Sequence, residues 1–275
     1  MAGVSLPLAP QRSFGNTSRT DRWWVQPILV FTGLGLFVIY STWAAFQGKN
    51  FEFGPYLSPM YSPVLWGNSE HAWFGDGKGP PSWYPTWLPS WASYSPAFLI
   101  LWAPAGFRLT CYYYRGAYYK AFWADPPNCA VGEPRKGYIG ESNWPLMIMN
   151  IHRFFFYLAA LFILMLTIDA IQAFRFKVGD HHEFGIGVGT VILCANAVLL
   201  GGYTFGCHSF RHLVGGRKDC ISESPLCLKA YNACSALNGR HMLWAWMSLI
   251  VVGFSDLYIR LCSMDKLHDY RIIFG

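Results

Sequence analysis

Apolar runs long enough to cross a bilayer alternate in this chain with short stretches that gather most of its charges. Residues 25–46 (VQPILVFTGLGLFVIYSTWAAF) contain no charged side chain, and about 20 apolar residues suffice to span the hydrocarbon layer. The same pattern predicts further spanning helices at about 95–122, 146–173, 184–213 and 234–262. Residues 1–22 are polar and read as a mobile arm. They lack the apolar core and small-residue cleavage site of a signal peptide. Residues 47–94 are rich in Pro, Gly, Trp and Tyr. Repeated Pro breaks a helical ladder, while so many aromatics argue against a disordered linker. A structured cap on the outer membrane surface is expected there. Residues 263–275 form a short tail. The predicted fold is all-α: a polytopic bundle of five transmembrane helices over 23–262, with 47–94 as its extracytoplasmic loop.

Local signals refine this outline. Trp23 and Trp24 suit an interfacial anchor. Pro104 and Gly106 predict a kink in the second helix. Arg108 lies inside that helix and should face the bundle interior. Pro145 suits a helix start. A stripe of Gly185, Gly187, Gly189, Ala195, Ala197, Gly201 and Gly202 would let a neighbour or cofactor approach closely.

Composition and charge fix the setting. The chain is 53% hydrophobic and only 13% charged, where soluble domains run nearer a quarter charged. The net charge of +6 comes from loops beside apolar segments, so nucleic acid is not implied. With five spans, the arm and the 112–145 and 214–240 loops share one side and carry eleven Lys and Arg, against seven on the other. That bias puts the N-terminus in the cytoplasm of a multi-pass protein of the cell membrane. Six of the eight cysteines fall on that reducing side or at that end of a helix, which argues against a disulfide framework.

Ionisable groups inside a membrane segment are costly and usually functional. The stretch GGYTFGCHSFRHLVGG, residues 201–216, holds Cys207, His208, Arg211 and His212 within six positions. Cys111, His152 and His241 lie at a similar depth in three other helices, one to two turns below the cytoplasmic face. Two Cys and two His, namely Cys111, His152, Cys207 and His241 with His208 and His212 as alternative ligands, suit a Rieske-like [2Fe–2S] cluster. The same donors would suit zinc, and pairs drawn from the four histidines would suit haem b. Cys220, Cys227 and Cys234 lack CxxC spacing and read as free thiols. His71, His181 and His182 read as solvated, and Trp244 and Trp246 as packing. Arg108, Arg153, Arg211 and Arg240 could neutralise quinone head groups, lipid phosphates or an acidic partner. Asp169 and Asp256 sit near the outer helix ends.

Four segments carry a resemblance: GFRLTCYYYRGAYYKAFWADPPNCAVGEP, NIHRFFFYLAALF, YTFGCHSFRHLVGG and NGRHMLWAWMSLIVVGFSDLYIRL. Across about 106–262 the chain resembles the membrane-anchor subunit of succinate dehydrogenase in its long, five-helix actinobacterial form. The resemblance implies docking of a flavoprotein subunit and an iron–sulfur subunit at the cytoplasmic face, with electrons passing to menaquinone or ubiquinone in the bilayer. It also implies that the dicarboxylate chemistry belongs to the partners and that the complex can form a higher oligomer. Familiar anchors carry haem b; Cys111 and Cys207 depart from that pattern and favour an iron–sulfur centre. The quinone is expected near Trp144, Arg153, His212, Arg240 and Trp244, where His can deliver protons near neutrality. The alternatives are a haem b anchor of a related fumarate reductase and a transporter. Against the transporter, no pair of broken, repeated segments is visible. A di-iron oxygenase would need more core histidines or carboxylates.

Overall fold

The computed structural model describes residues 13–66, 69–74, 97–114, 120–124, 127–134, 142–144, 146–216 and 219–274. They fall into two compact units: residues up to Leu36 with Thr110–Asn150, and Phe37–Leu109 with Ile151–Gly275. Among the described residues, four helices are long and apolar enough to cross a membrane: α1 (Val25–Gln47), Leu146–Gln172, α4 (Val188–Phe205) and α7 (His241–Ser263). The third starts as a 3-10 turn, Leu146–Ile151, and becomes α-helical as α3 (His152–Gln172).

The second predicted span, 95–122, is interrupted. Its described pieces are Ala97–Ile100, α2 (Trp102–Leu109), Tyr112–Tyr114 and Lys120–Trp123. Pro104 accounts for the first break, because it has no N–H for the Ile100 carbonyl and its ring crowds that carbonyl. The predicted 184–213 helix also divides. Its first residues belong to a strand, α4 ends at Phe205, and α5 (His208–Gly215) follows with Cys207 as its N-cap. Side chains of α6 (Pro225–Asn238) bond to the backbone at this break. Asn238 Nδ2 donates to the Gly206 oxygen at 2.8 Å and the Cys234 thiol to the Cys207 oxygen at 3.7 Å. The predicted 234–262 helix is likewise two, since α6 stops at Gly239 and α7 begins at His241.

Strands occur where an all-α fold is expected. In the cap, β1 (Glu52–Phe53) pairs with β2 (Tyr56–Leu57). At the ends of α3 and α4 remote from His152, β3 (Arg175–Val178), β4 (His181–Gly187) and β5 (Arg271–Phe274) form an antiparallel sheet in that order. The segment between α3 and α4 and the predicted tail are therefore one sheet, with Phe184 opposite both Arg175 and Phe274. Gly179, at φ +62°, closes the β3–β4 hairpin in a conformation that Gly adopts freely.

In the first unit the arm is tied down over its described part. Arg19 pairs with Asp21 and donates to the Cys129 carbonyl at 3.0 Å and Asn128 Oδ1 at 3.3 Å. Asn128 donates back to the Trp23 carbonyl at 2.8 Å. In the second unit, α3 packs on α2 and α4, and α4 on α7. Three buried carboxylates fix the cap and sheet to the helices. Asp256 pairs with Arg260 at 2.7 Å and accepts from Tyr40 at 2.6 Å and from Ser58. Asp169 accepts from Ser62. Asp269 accepts from Tyr56 at 2.9 Å and Tyr258 at 2.7 Å. Residues 75–94 of the cap lie outside the described residues.

Candidate functional site

The histidines of α3 and α7 end a column of rings inside the second unit. His152 stacks on Phe107 of α2 with centroids 4.7 Å apart. Phe107 meets Tyr203 of α4 edge-on at 5.5 Å, and Tyr203 stacks on His241 of α7 at 4.9 Å. Four helices thus contribute one ring each. The arrangement follows from local structure: His152 opens α3 and His241 opens α7, while Phe107 and Tyr203 lie near the ends of α2 and α4. Arg108, expected to face the interior, does so. Its guanidinium lies 4.6 Å from the Tyr203 ring centre and donates to the Ala245 carbonyl at 3.2 Å and Ser248 Oγ at 2.8 Å.

His152 also meets Cys207. Nε2 and Sγ are 3.0 Å apart, so either the imidazole donates to sulfur or the thiol donates to nitrogen. Cys207 is buried and its sulfur also accepts from the Ser209 amide at 3.4 Å. This pair joins two of the four predicted ligands. His241 is buried against Tyr203, and Cys111, also buried, belongs to the other compact unit. Among the described residues no three His, Cys, Asp or Glu side chains are grouped so as to hold a metal ion. The four donors suit an iron–sulfur centre by chemical type, and His152 and Cys207 are in direct contact.

Haem fits less well. Phe107 and Tyr203 fill the space between His152 and His241. The small residues of α4 also face protein: a Cβ on Gly202 would lie 2.9 Å from the Trp244 ring and one on Gly189 2.5 Å from Tyr56. Aromatic side chains occupy the room that a macrocycle would need. His208 and His212, the alternative ligands, are exposed on α5 with ring centroids 4.5 Å apart. Burial and the neighbouring His212 and Arg211 lower the His208 pKa, which favours its neutral form.

The predicted quinone residues do not form one described cluster. Arg153, His212 and Arg240 are exposed at helix ends, and Trp144 is 72% exposed in the first unit. Trp244 is half-buried, and its indole N–H has no hydrogen-bond partner among the described residues. A separate apolar cavity of about 180 Å³ lies among the helices of the second unit, lined by Phe37, Met60, Phe107, Ile163, Leu200 and Tyr203, with Arg108 at its wall. Sequence reasoning missed Phe107 and Tyr203. The available signal was an aromatic residue directly before Arg108 and another just before the Cys207 break.

Comparison with known proteins gives this geometry its context. No curated protein matches the chain. It is similar over the whole length of both chains to a chain of a solved structure, the Mycobacterium smegmatis Sdh1 complex in the apo form, with 40% sequence identity and a TM-score of 0.83. The family model for the actinobacterial succinate dehydrogenase subunit SdhC matches residues 25–265. A likeness that runs through the four spans and both sides of the ring column leads to one assignment: the chain belongs to the SdhC family of actinobacterial succinate dehydrogenase.

Proposed function

We propose that this subunit delivers electrons from the iron–sulfur subunit to quinone within the bilayer, each turnover adding two electrons and two protons to one quinone. The observation that carries the reading is the column His152–Phe107–Tyr203–His241, half-buried at His152 and buried at the other three rings, with Arg108 at its side. A membrane bundle rarely buries such groups without a use for them. The flavoprotein oxidises succinate, and the iron–sulfur subunit docks at the face carrying Arg153, His212 and Arg240. That face is cytoplasmic, as is the N-terminus. Trp144, Arg153, His212, Arg240 and Trp244 are the quinone-binding residues of this reading. The unpartnered indole N–H of Trp244 supplies a donor to a quinone carbonyl, and His212 supplies a proton. Replacing His212 with Ala should lower quinone reduction and shift its pH profile while leaving succinate oxidation by an artificial acceptor intact. An unchanged profile would remove His212 from the proton route.

The His152–Cys207 contact favours a second element of the reading: a Rieske-like [2Fe–2S] centre held by Cys111, His152, Cys207 and His241. Such a centre, when bound, supplies one-electron steps between the partner's clusters and quinone. The protein's own part is to hold the two imidazoles at the ends of the ring column and to exclude water with Phe107 and Tyr203. Iron and acid-labile sulfide, measured in the purified complex, should fall by about two each in Cys207→Ser, the content of one such cluster. Equal contents in wild type and variant would refute the centre.

A further inference from the structure

A second polar cavity, of about 310 Å³, opens at the helix ends remote from His152, between the cap and the β3–β4–β5 sheet. Arg175, Lys177 and Arg271 line it together with His71 and His182, and Glu70 is its one lining carboxylate. Glu70 accepts from Lys177 at 3.3 Å, with both side chains more than half exposed. Arg271 is braced over the Phe176 ring at 5.5 Å, and His71 shares its Nε2 with the Gly54 carbonyl at 3.2 Å. Glu183, on β4, is engaged by His181 at 3.0 Å. Three permanent cations thus face one carboxylate.

An apolar surface adjoins the cavity. Phe174 stacks on Phe184 at 5.5 Å and Phe184 meets Phe274 at 5.9 Å. Phe184, Ile186, Ile272 and Phe274 are exposed, as are Ile171 and Val188 at the adjoining ends of α3 and α4. The lipid-facing surface of the helices therefore continues onto the sheet. The sheet cannot sink into hydrocarbon, because its edge N–H and C=O groups would lose their water. Aromatic side chains of this kind collect at the headgroup boundary, the depth at which lipid phosphates lie.

We propose that this cavity binds a net-anionic phosphate group, with the phosphate between Arg175, Lys177 and Arg271 and any attached acyl chains along Phe184 and Phe274. The site is separate from the quinone reading and needs only that the chain span the membrane. Juxtamembrane cations attract anionic headgroups, and Arg holds phosphate through paired hydrogen bonds.

The test uses the intact complex, delipidated in detergent. It is titrated with dioleoyl phosphatidylglycerol, dioleoyl phosphatidylcholine or inorganic phosphate, with native mass spectrometry and thermal shift as readouts. Phosphatidylglycerol should bind about tenfold more tightly than phosphatidylcholine, and Arg175→Gln with Lys177→Gln should abolish that preference. Arg175→Lys with Lys177→Arg should retain it, which separates loss of charge from loss of fold. Lys266→Gln, outside the cavity, should bind as wild type. Displacement of the lipid by millimolar inorganic phosphate would assign the site to the free anion, and its failure to displace would assign it to a headgroup. Equal affinity for the two lipids with no phosphate-induced shift, or a double Gln variant that binds like wild type, would overturn the proposal.

Discussion

Asp256 and Arg260 are both buried and one helical turn apart, and between them they touch α1, the cap and α7. Removing one partner leaves the other charge buried alone, at a cost of about 3–5 kcal/mol. Asp256→Ala and Arg260→Ala should each lower the unfolding temperature of the complex markedly. The double variant should lose less than the sum of the two, as a double-mutant cycle by thermal denaturation would measure. Cysteines differ at the same scale. Cys220 is exposed, and hydrogen bonding with Ser222 lowers its thiol pKa, whereas burial raises that of Cys234. A lower pKa means more thiolate at a given pH, and the thiolate is the reactive form. As pH rises, iodoacetamide should therefore alkylate Cys220 before Cys234, with peptide mass spectrometry as the readout. Reversed order would place Cys234 in an open environment.

At the scale of elements, close contacts between helices decide what the bundle tolerates. Gly202 on α4 leaves room for the Trp244 ring of α7, and a side chain there would lie at 2.9 Å even as a methyl. Overpacking of this kind costs about 1–3 kcal/mol. Gly202→Val should thus lower thermal stability more than Gly201→Val, because Gly201 has its nearest neighbour at 3.9 Å. The long apolar helices could be read directly in the sequence, since their length and lack of charge suffice. The breaks were harder. At Gly206 the released carbonyl is satisfied by Asn238, a side chain distant in sequence. The sheet was harder still. Its strands are short, and β5 gains its place only by pairing with β4, which no local periodicity announces. Of the site, His152, Cys207 and His241 were visible as costly groups in apolar segments. Phe107 and Tyr203 were hidden because aromatics are common in such segments.

For the whole molecule, family membership makes the chain one subunit of succinate dehydrogenase, a succinate:quinone oxidoreductase. A complex assembled without this subunit should still oxidise succinate with a soluble dye and should reduce quinone at background rate only. Quinone reduction at full rate by the remaining subunits would show that electrons leave before reaching the bilayer.

The sheet at the far helix ends joins a strand that precedes α4 to one that follows α7. During synthesis β4 leaves the ribosome long before its neighbour exists, and pairing across such a separation is slow. The hairpin must therefore wait, half-finished, until the last span has crossed the membrane. Pairing of Arg271–Phe274 with β4 then ties the segment after α7 back to the one before α4.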